Sequence, residues 1–406
     1  MKTMLVALLA LLAVALASLS VSSKAHGSPP SPPSGLSLGY AKFGFNLFRY
    51  LLERGKDTNI FVSPASVAFN LALLNNGAAG ETQTAITKVL GVEGLSQNDI
   101  NQANLSLKNA LLTPDPQVTL SIANSLWLRK GIIFKPDFLK RNQEVFGAVA
   151  KVLDFADPRA KEVINAWVKE KTAGKILEII ETIQPLTYLY VINAIYFKGK
   201  WTYPFDKALT NERPFTRVDG TKKPWPMMSQ SGRFRYYHGE NFQAVMLPYG
   251  VNKKMEMAIF LPDPTSDLKR FCLELNESNW QQWLANFRPT RGKVVLPRFT
   301  LEYHKVLNGA LEALGMGVAF DTSKADFSNL CSIPPVVSIS EVRHKTFVEV
   351  NEEGTEAAAV STTGLVGAAA PVGPEFSMIM DRPFFLAIYD GETDSLLFLG
   401  AIMDPK

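Results

Sequence analysis

The chain has 406 residues, of which 47% are hydrophobic and 20% charged, so it holds enough apolar material for a large packed core and does not have the composition of a disordered protein. Two cysteines exclude a disulfide-dense scaffold, and a scattered net charge of +4 gives no electrostatic support for a nucleic-acid or membrane-surface partner. The four histidines, His26, His238, His304 and His344, stand far apart with no ligand spacing, so neither a metal nor another cofactor is expected.

Residues 1–25 read as an export signal. Met1 and Lys2 start it, Met4 to Ala17 is an apolar run too short for a membrane span, and Ala15-Leu16-Ala17 and Ser23-Lys24-Ala25 both offer small-x-small cleavage points. Cleavage at the second leaves His26 first and removes Lys2 and Lys24, taking the net charge from +4 to +2. The alternative is an uncleaved anchor. Residues 26–35 contain Ser28-Pro29-Pro30-Ser31-Pro32-Pro33-Ser34-Gly35, expected to form an extended spacer because proline fixes φ and has no amide donor. The expected product is a secreted protein, or a periplasmic one in a bacterium, with no membrane contact after cleavage.

From Leu36 to Asn351 no linker, repeat or charge block interrupts the pattern, so residues 36–406 are expected to form one domain. Gly39 to Arg54 has helical spacing through Phe43, Leu47 and Leu51, and Ser63-Pro64 opens a second helix to Leu74 with Ser63 as N-cap. Gly80 to Leu90 is a third helix. Ile122 to Leu128 is a buried strand with Trp127, Lys161 to Ala173 an amphipathic helix ended by Gly174, and Tyr188 to Phe197 a strand covered on both faces. Further strands are expected at Phe234–Tyr237, Gln243–Leu247, Met255–Leu261, Lys293–Phe299, Phe347–Val350, Phe384–Tyr389 and Leu396–Ile402, with one helix at Tyr303–Leu314. Helices first and strands later give an α+β fold built on large sheets. Lys222-Lys223 and Lys253-Lys254 read as solvated loop charges. Cys272 and Cys331 are left open as a disulfide, and Asn104-Leu105-Ser106 and Asn276-Glu277-Ser278 match the glycosylation sequon.

No catalytic constellation is present: there is no GxSxG, no GxxxxGK[ST], no EF-hand and no GxGxxG, and Gly315-Met316-Gly317 reads as a turn. His304 and His344 read as structural rather than as bases. The unusual stretch is Glu352 to Pro374, which is rich in Ala, Gly, Ser and Thr and offers a core almost nothing. It reads as a long exposed loop, functional unless it is a passive insertion. As a strand, Thr355, Ala357, Ala359, Ser361 and Thr363 would form one small uncharged face, with Glu356 on the other. Such a segment can enter a sheet without overpacking it or burying an unpaired carboxylate.

These residues resemble the serpin family over nearly the whole chain after the spacer. The resemblance is carried by Asn59-Ile60-Phe61-Val62-Ser63-Pro64 with Ser66, Gly77-Ala78-Ala79-Gly80-Glu81-Thr82, and Asn165-Ala166-Trp167-Val168 with Thr172 and Gly174-Lys175-Ile176. It continues through Asn193-Ala194-Ile195-Tyr196-Phe197-Lys198-Gly199-Lys200-Trp201 to Pro204-Phe205, Leu296-Pro297-Arg298-Phe299, His344-Lys345, Asp381-Arg382-Pro383-Phe384 and Leu397-Phe398-Leu399-Gly400 with Pro405. It implies a metastable fold of three sheets and about nine helices with a reactive-centre loop at about 352–380. A serine protease attacks the loop and forms an acyl-enzyme, and the cleaved loop inserts into the main sheet and traps the protease covalently. An inserted strand of about 14 residues from Thr355 would reach roughly 45 Å.

The hinge Glu352-Glu353-Gly354-Thr355-Glu356-Ala357-Ala358-Ala359 matches the inhibitory form of the family; the alternative is a non-inhibitory binding, carrier or chaperone role. The family spacing of seventeen residues from Glu352 places the reactive bond at Ala368-Ala369, with Leu365-Val366 and Val366-Gly367 as fallbacks. An alanine suits elastase-like or subtilisin-like proteases, and no basic residue lies between Glu352 and Arg382 for a trypsin-like one. By the same resemblance Trp201 lies at the breach where the loop enters, and Ser63, Ser66, Asn193 and His344 in the shutter under the sheet. Heparin activation is not expected, since Leu95–Leu112 holds only Lys108, and the protein is expected to be a monomer.

Overall fold

The computed structural model describes residues 34–112, 115–184, 187–332, 336–355 and 375–406. The elements run α1 Ser34–Arg54, β1 Ile60–Val62, α2 Pro64–Asn75, α3 Gly80–Leu90, α4 Gln97–Leu111, β2 Val118–Arg129, α5 Pro136–Phe146, β3 Val149–Leu153, α6 Ala160–Lys171 and β4 Leu189–Lys200. There follow β5 Asn211–Thr216, β6 Lys222–His238, β7 Phe242–Pro248, β8 Met255–Pro262, α7 Leu268–Glu274, α8 Glu277–Asn286, β9 Arg288–Pro297 and β10 Phe299–Val306. A helix over 308–320, α9, kinks at Gly315 (φ 116°) before β11 Glu341–Asn351, β12 Gly354–Thr355, β13 Phe376–Ile379, β14 Phe384–Asp390 and β15 Ser395–Ile402.

Nine helices are thus present among the described residues, with strands in two hydrogen-bonded sheets. The six-stranded sheet has the order β10-β11-β12-β4-β2-β3. The other runs β1-β15-β14-β8-β7-β6-β9-β13, with β5 also on β6. The 17-residue β6 makes it continuous: its front half pairs with β5 and β9, its back half with β7 and β9. Two of the three expected sheets are therefore joined through one long strand.

Most expected elements lie where the hydrophobic pattern puts them. Ser63 caps α2, its Oγ accepting from the Ser66 amide at 3.3 Å, and Pro64 fills the first helical position, where its missing N–H costs nothing. α2 is buried along its whole length because it lies beneath the six-stranded sheet. Helix α6 and the segment 172–184 cover the opposite face, where Ile176, Ile179 and Ile180 pack with Tyr190 and Ile192 of β4.

Several expectations need correction. Ser34 and Gly35, assigned to the spacer, begin α1. Tyr303–Val306 is strand rather than the start of a helix: β10 pairs with β11 from Phe299↔Val350 to Val306↔Arg343, and that ladder outweighs the local helical spacing. Lys223 and Lys254 are not solvated loop charges. Lys223 bonds Asp404 and the Pro405 carbonyl, and Lys254 lies between Asp390 and Glu392. Cys272 and Cys331 are free and buried. Asn104 of the first sequon is fully buried in α4, its amide bonded to the Ile100 carbonyl and to Tyr40, which leaves it no room for a glycan in the folded protein.

The C-terminus closes the core edge. Asn59 Oδ1 accepts from the amides of Met403 (2.7 Å) and Asp404 (2.9 Å), and its Nδ2 donates to the Asp404 carbonyl at 2.6 Å. Asn59→Ala removes all three bonds and is expected to cost about 2 kcal/mol, read as a lower thermal unfolding midpoint and faster trimming by carboxypeptidase.

Candidate functional site

β4 and β11 lie side by side and parallel from Glu341↔Tyr190 to Phe347↔Tyr196, then part. Into the opening fits β12, antiparallel to both neighbours. Gly354 lies opposite Lys200 on β4 and Asn351 on β11, and Thr355 opposite Gly199 and Val350. The position of Gly354 admits no side chain: its φ is 150°, and a Cβ would overlap the Gly199 carbonyl oxygen. The side chain of Thr355 is fully buried, and its Oγ1 shares a hydrogen bond of 2.7 Å with the Tyr249 hydroxyl.

The turn before β12 is gripped from both sides. The Trp201 indole N–H donates to the Asn351 carbonyl (2.9 Å), the Trp201 amide to the Glu353 carbonyl (2.9 Å) and the Phe205 amide to the Glu352 carbonyl (2.8 Å). The Trp201 ring stacks on Tyr249 with centroids 4.3 Å apart, so the residue that holds the turn also backs the one that holds Thr355. Glu352 is buried, and its carboxylate accepts from Arg298 Nε at 2.7 Å, from Arg298 Nη2 and from Thr210 Oγ1 at 2.5 Å. Burial by itself would raise this carboxyl; the Arg298 and Thr210 hydrogen bonds overcome that and hold it below the usual range. Glu353 is paired with Lys207 at 2.5 Å on the solvent side.

Further down the same pair of strands lies a buried polar cluster. His344 Nε2 accepts from the Ser63 amide at 3.0 Å, and His344 Nδ1 lies 2.5 Å from Asn193 Oδ1. An amide oxygen only accepts, so Nδ1 carries the ring proton and the imidazole is neutral. Asn193 Nδ2 reaches Ser66 Oγ (2.5 Å), the Ser66 carbonyl (2.9 Å) and Asn124 Oδ1 (2.7 Å), which ties α2 to β2, β4 and β11. Burial pushes the His344 pKa down to about 3, with His304 adding to the shift. A second ring proton would point at the Ser63 N–H.

The structure thus brings the expected residues together in two groups. Trp201 meets Glu352, Glu353 and Thr355 at the top of the sheet; Ser63, Ser66, Asn193 and His344 meet at its centre. Glu356, Ala357, Ala358, Ala359, Leu365, Val366, Gly367, Ala368 and Ala369 lie outside the described residues. Thr210, Tyr249, Lys207 and Asn124 belong to these groups and were not singled out from sequence. Asn124 alone carries a local signal, as the one amide in the mainly apolar run Ile122–Leu128.

The serpin family model, described as serine protease inhibitor, matches residues 39–405. Serpin B6 of Pongo abelii is 38% identical over 374 residues, covering 89% of this chain and 97% of that protein. Leukocyte elastase inhibitor of Bos taurus is 36% identical over 382 residues, covering 91% and 99%. Among solved structures, the thermophilic serpin Tengpin in its native state superposes with a TM-score of 0.86 at 31% identity, over 93% of this chain and 96% of that one. Human thyroxine-binding globulin with its ligand gives a TM-score of 0.83 at 27% identity, over 91% and 98%.

The cluster makes stability depend on pH. His344 has a native pKa of about 3 against 6.5 unperturbed, so between those values the unfolded chain takes up a proton that the native one refuses. Stability therefore rises with pH across this window, by about 1.4 kcal/mol per pH unit at most. Glu352, held below its ordinary value, acts in the same direction at the acid end. Thermal midpoints measured from pH 7 down to pH 4 are expected to fall steeply, and less steeply in His344→Gln.

Proposed function

The chain belongs to the serpin family, and we propose that it is an exported suicide inhibitor of serine proteases with a small primary pocket. It is a protease inhibitor rather than an enzyme; serpins act by forming covalent complexes with serine proteases. The observation that carries the finer reading is the antiparallel placement of Gly354–Thr355 between β4 and β11.

That placement fixes a register. Thr355 is opposite Gly199 and Val350, so each further residue steps one position along both neighbours. After cleavage, continuation of this ladder sets Ser361 between Asn193 and His344, and Ala357 and Ala359 on the same inward face as Thr355. Small side chains can occupy that face once β4 and β11 separate, and Ser361 offers a hydroxyl to replace the hydrogen bond that their separation breaks. The residues Glu352 to Ala359 act as the hinge, Trp201 as the breach that starts entry, and Ser63, Ser66, Asn193 and His344 as the shutter that must open for entry to finish.

The reactive bond is assigned to Ala368-Ala369, with Leu365-Val366 and Val366-Gly367 next in order. The absence of Arg and Lys from 352–381 disfavours trypsin-like targets, and the similarity to a leukocyte elastase inhibitor supports an elastase-like one. Residues 1–25 serve as the export signal and 26–35 as the spacer, whose last two residues already lie in α1, and the domain acts as a monomer without heparin. Among the described residues no helix is long and apolar enough to cross a membrane.

Incubation with pancreatic elastase, subtilisin, chymotrypsin and trypsin, followed by denaturing gels and mass spectrometry, tests the reading. Elastase or subtilisin is expected to give a complex that survives denaturation and a fragment starting at Ala369. A fragment starting elsewhere moves the bond, whereas loop cleavage with neither complex nor gain in heat resistance rejects inhibition in favour of a carrier role. Thr355→Arg places a guanidinium at a fully buried position and is expected to turn the inhibitor into a substrate, cut at the same bond without a complex.

A further inference from the structure

Behind Trp201 and Phe205, whose contacts form a clasp on the turn before β12, lies a cavity of about 340 Å³ which the inhibitory reading does not use. Its apolar wall is made by Trp201, Phe205, Phe234, Met246, Leu247 and Pro248. Tyr203, 55% exposed, stands at its rim. Two of these residues are the ones whose backbone amides hold the hinge: Trp201 donates to the Glu353 carbonyl and Phe205 to the Glu352 carbonyl. Gln230 fixes the intervening turn from the cavity side by donating to the carbonyls of Tyr203 and Pro204 at 2.7 and 2.9 Å.

The cavity's charges are one-sided. Arg233, Arg235 and Lys253 line it against the single carboxylate of Glu256. Glu256 is already engaged, accepting from Arg235 at 2.6 Å and from the Tyr389 hydroxyl at 2.6 Å. Arg233 and Lys253 are exposed and have no acidic partner among the described residues; Lys253 instead donates to the Tyr203 hydroxyl at 2.8 Å. An apolar wall of this size with two uncompensated cations at its edge fits a ring or short chain that ends in one negative charge.

We propose that this cavity binds small aromatic carboxylates and that an occupant braces the Trp201–Phe205 turn, holding the hinge in its native position. The bracing rests on the inhibitory reading; the binding does not. It follows from linkage, because a ligand that packs on the native turn favours the state in which that turn is formed.

The test uses the full chain and isothermal titration with 2-naphthoate, with 2-naphthylmethanol and 2-naphthylmethylammonium as neutral and cationic counterparts of the same ring. One saturable site is expected for 2-naphthoate, with both counterparts at least about tenfold weaker. The double variant Arg233→Glu and Lys253→Glu, both at exposed positions, is expected to lose at least about tenfold in affinity while keeping its unfolding midpoint. Equal binding of all three probes, no saturable binding of the anion, or unchanged affinity in the variant overturns the site. In a second arm, saturating 2-naphthoate is expected to slow covalent complex formation with elastase by the wild type and not by the variant; an unchanged wild-type rate overturns the bracing. A chain that forms no complex at all refutes the inhibitory reading and leaves the binding result to stand by itself.

Discussion

The structure depends on a seam between two parallel strands that is closed along most of its length and wedged open at one end. β4 and β11 share a ladder from Tyr190 and Glu341 upward, yet two residues of the chain that follows β11 fold back between them. The wedge exists because Gly354 has no side chain and adopts φ 150°, which lets its backbone approach Gly199 more closely than any Cβ would permit. With Thr355 seated, the strands are spaced for a third at that end alone, and from Phe347 and Tyr196 downward they remain paired with each other. A parallel pair is also somewhat less stable per residue than an antiparallel one, so replacing it by two antiparallel ladders favours further insertion.

Two sets of contacts keep the seam as it is. At the top, the clasp joins aromatic stacking to backbone hydrogen bonds, and Glu352 contributes a carboxylate whose desolvation is offset by a guanidinium and a hydroxyl. At the centre, His344 and Asn193 span the seam through a hydrogen bond within a buried polar cluster. The other polar atom of each side chain is committed elsewhere, His344 Nε2 to the Ser63 amide and Asn193 Nδ2 to Ser66 and Asn124, so the strands cannot part without disturbing α2. On the outer face, Lys345 and Arg343 of β11 donate to the carbonyls of Glu178 and Ile179, binding the covering segment 172–184 to β11.

The elements legible from sequence were those whose own residues carry the periodicity. The apolar runs at Tyr188–Phe197 and Met255–Leu261 appear as buried strands, and Ser63-Pro64 does open a helix. What could not be read were features set by residues distant in the chain. Tyr303–Val306 has helical spacing but takes its conformation from β11, some forty residues on. Lys223 and Lys254 look like surface charges until Asp404, Asp390 and Glu392 are folded beside them. Tyr249 and Thr210 lie in segments that name neither as a partner of the hinge.

By itself the sequence determined the α+β class and the family, because these are properties of residue order and side-chain size. The tertiary structure decided that the chain already begins a strand between β4 and β11 at Gly354–Thr355, that Tyr249 and Thr210 join Trp201 around the turn before it, and that His344 is neutral and held from both ring nitrogens. Each of these depends on which groups face one another across strands joined by long stretches of chain, and on the desolvation those strands impose. Neither quantity is a property of any local segment.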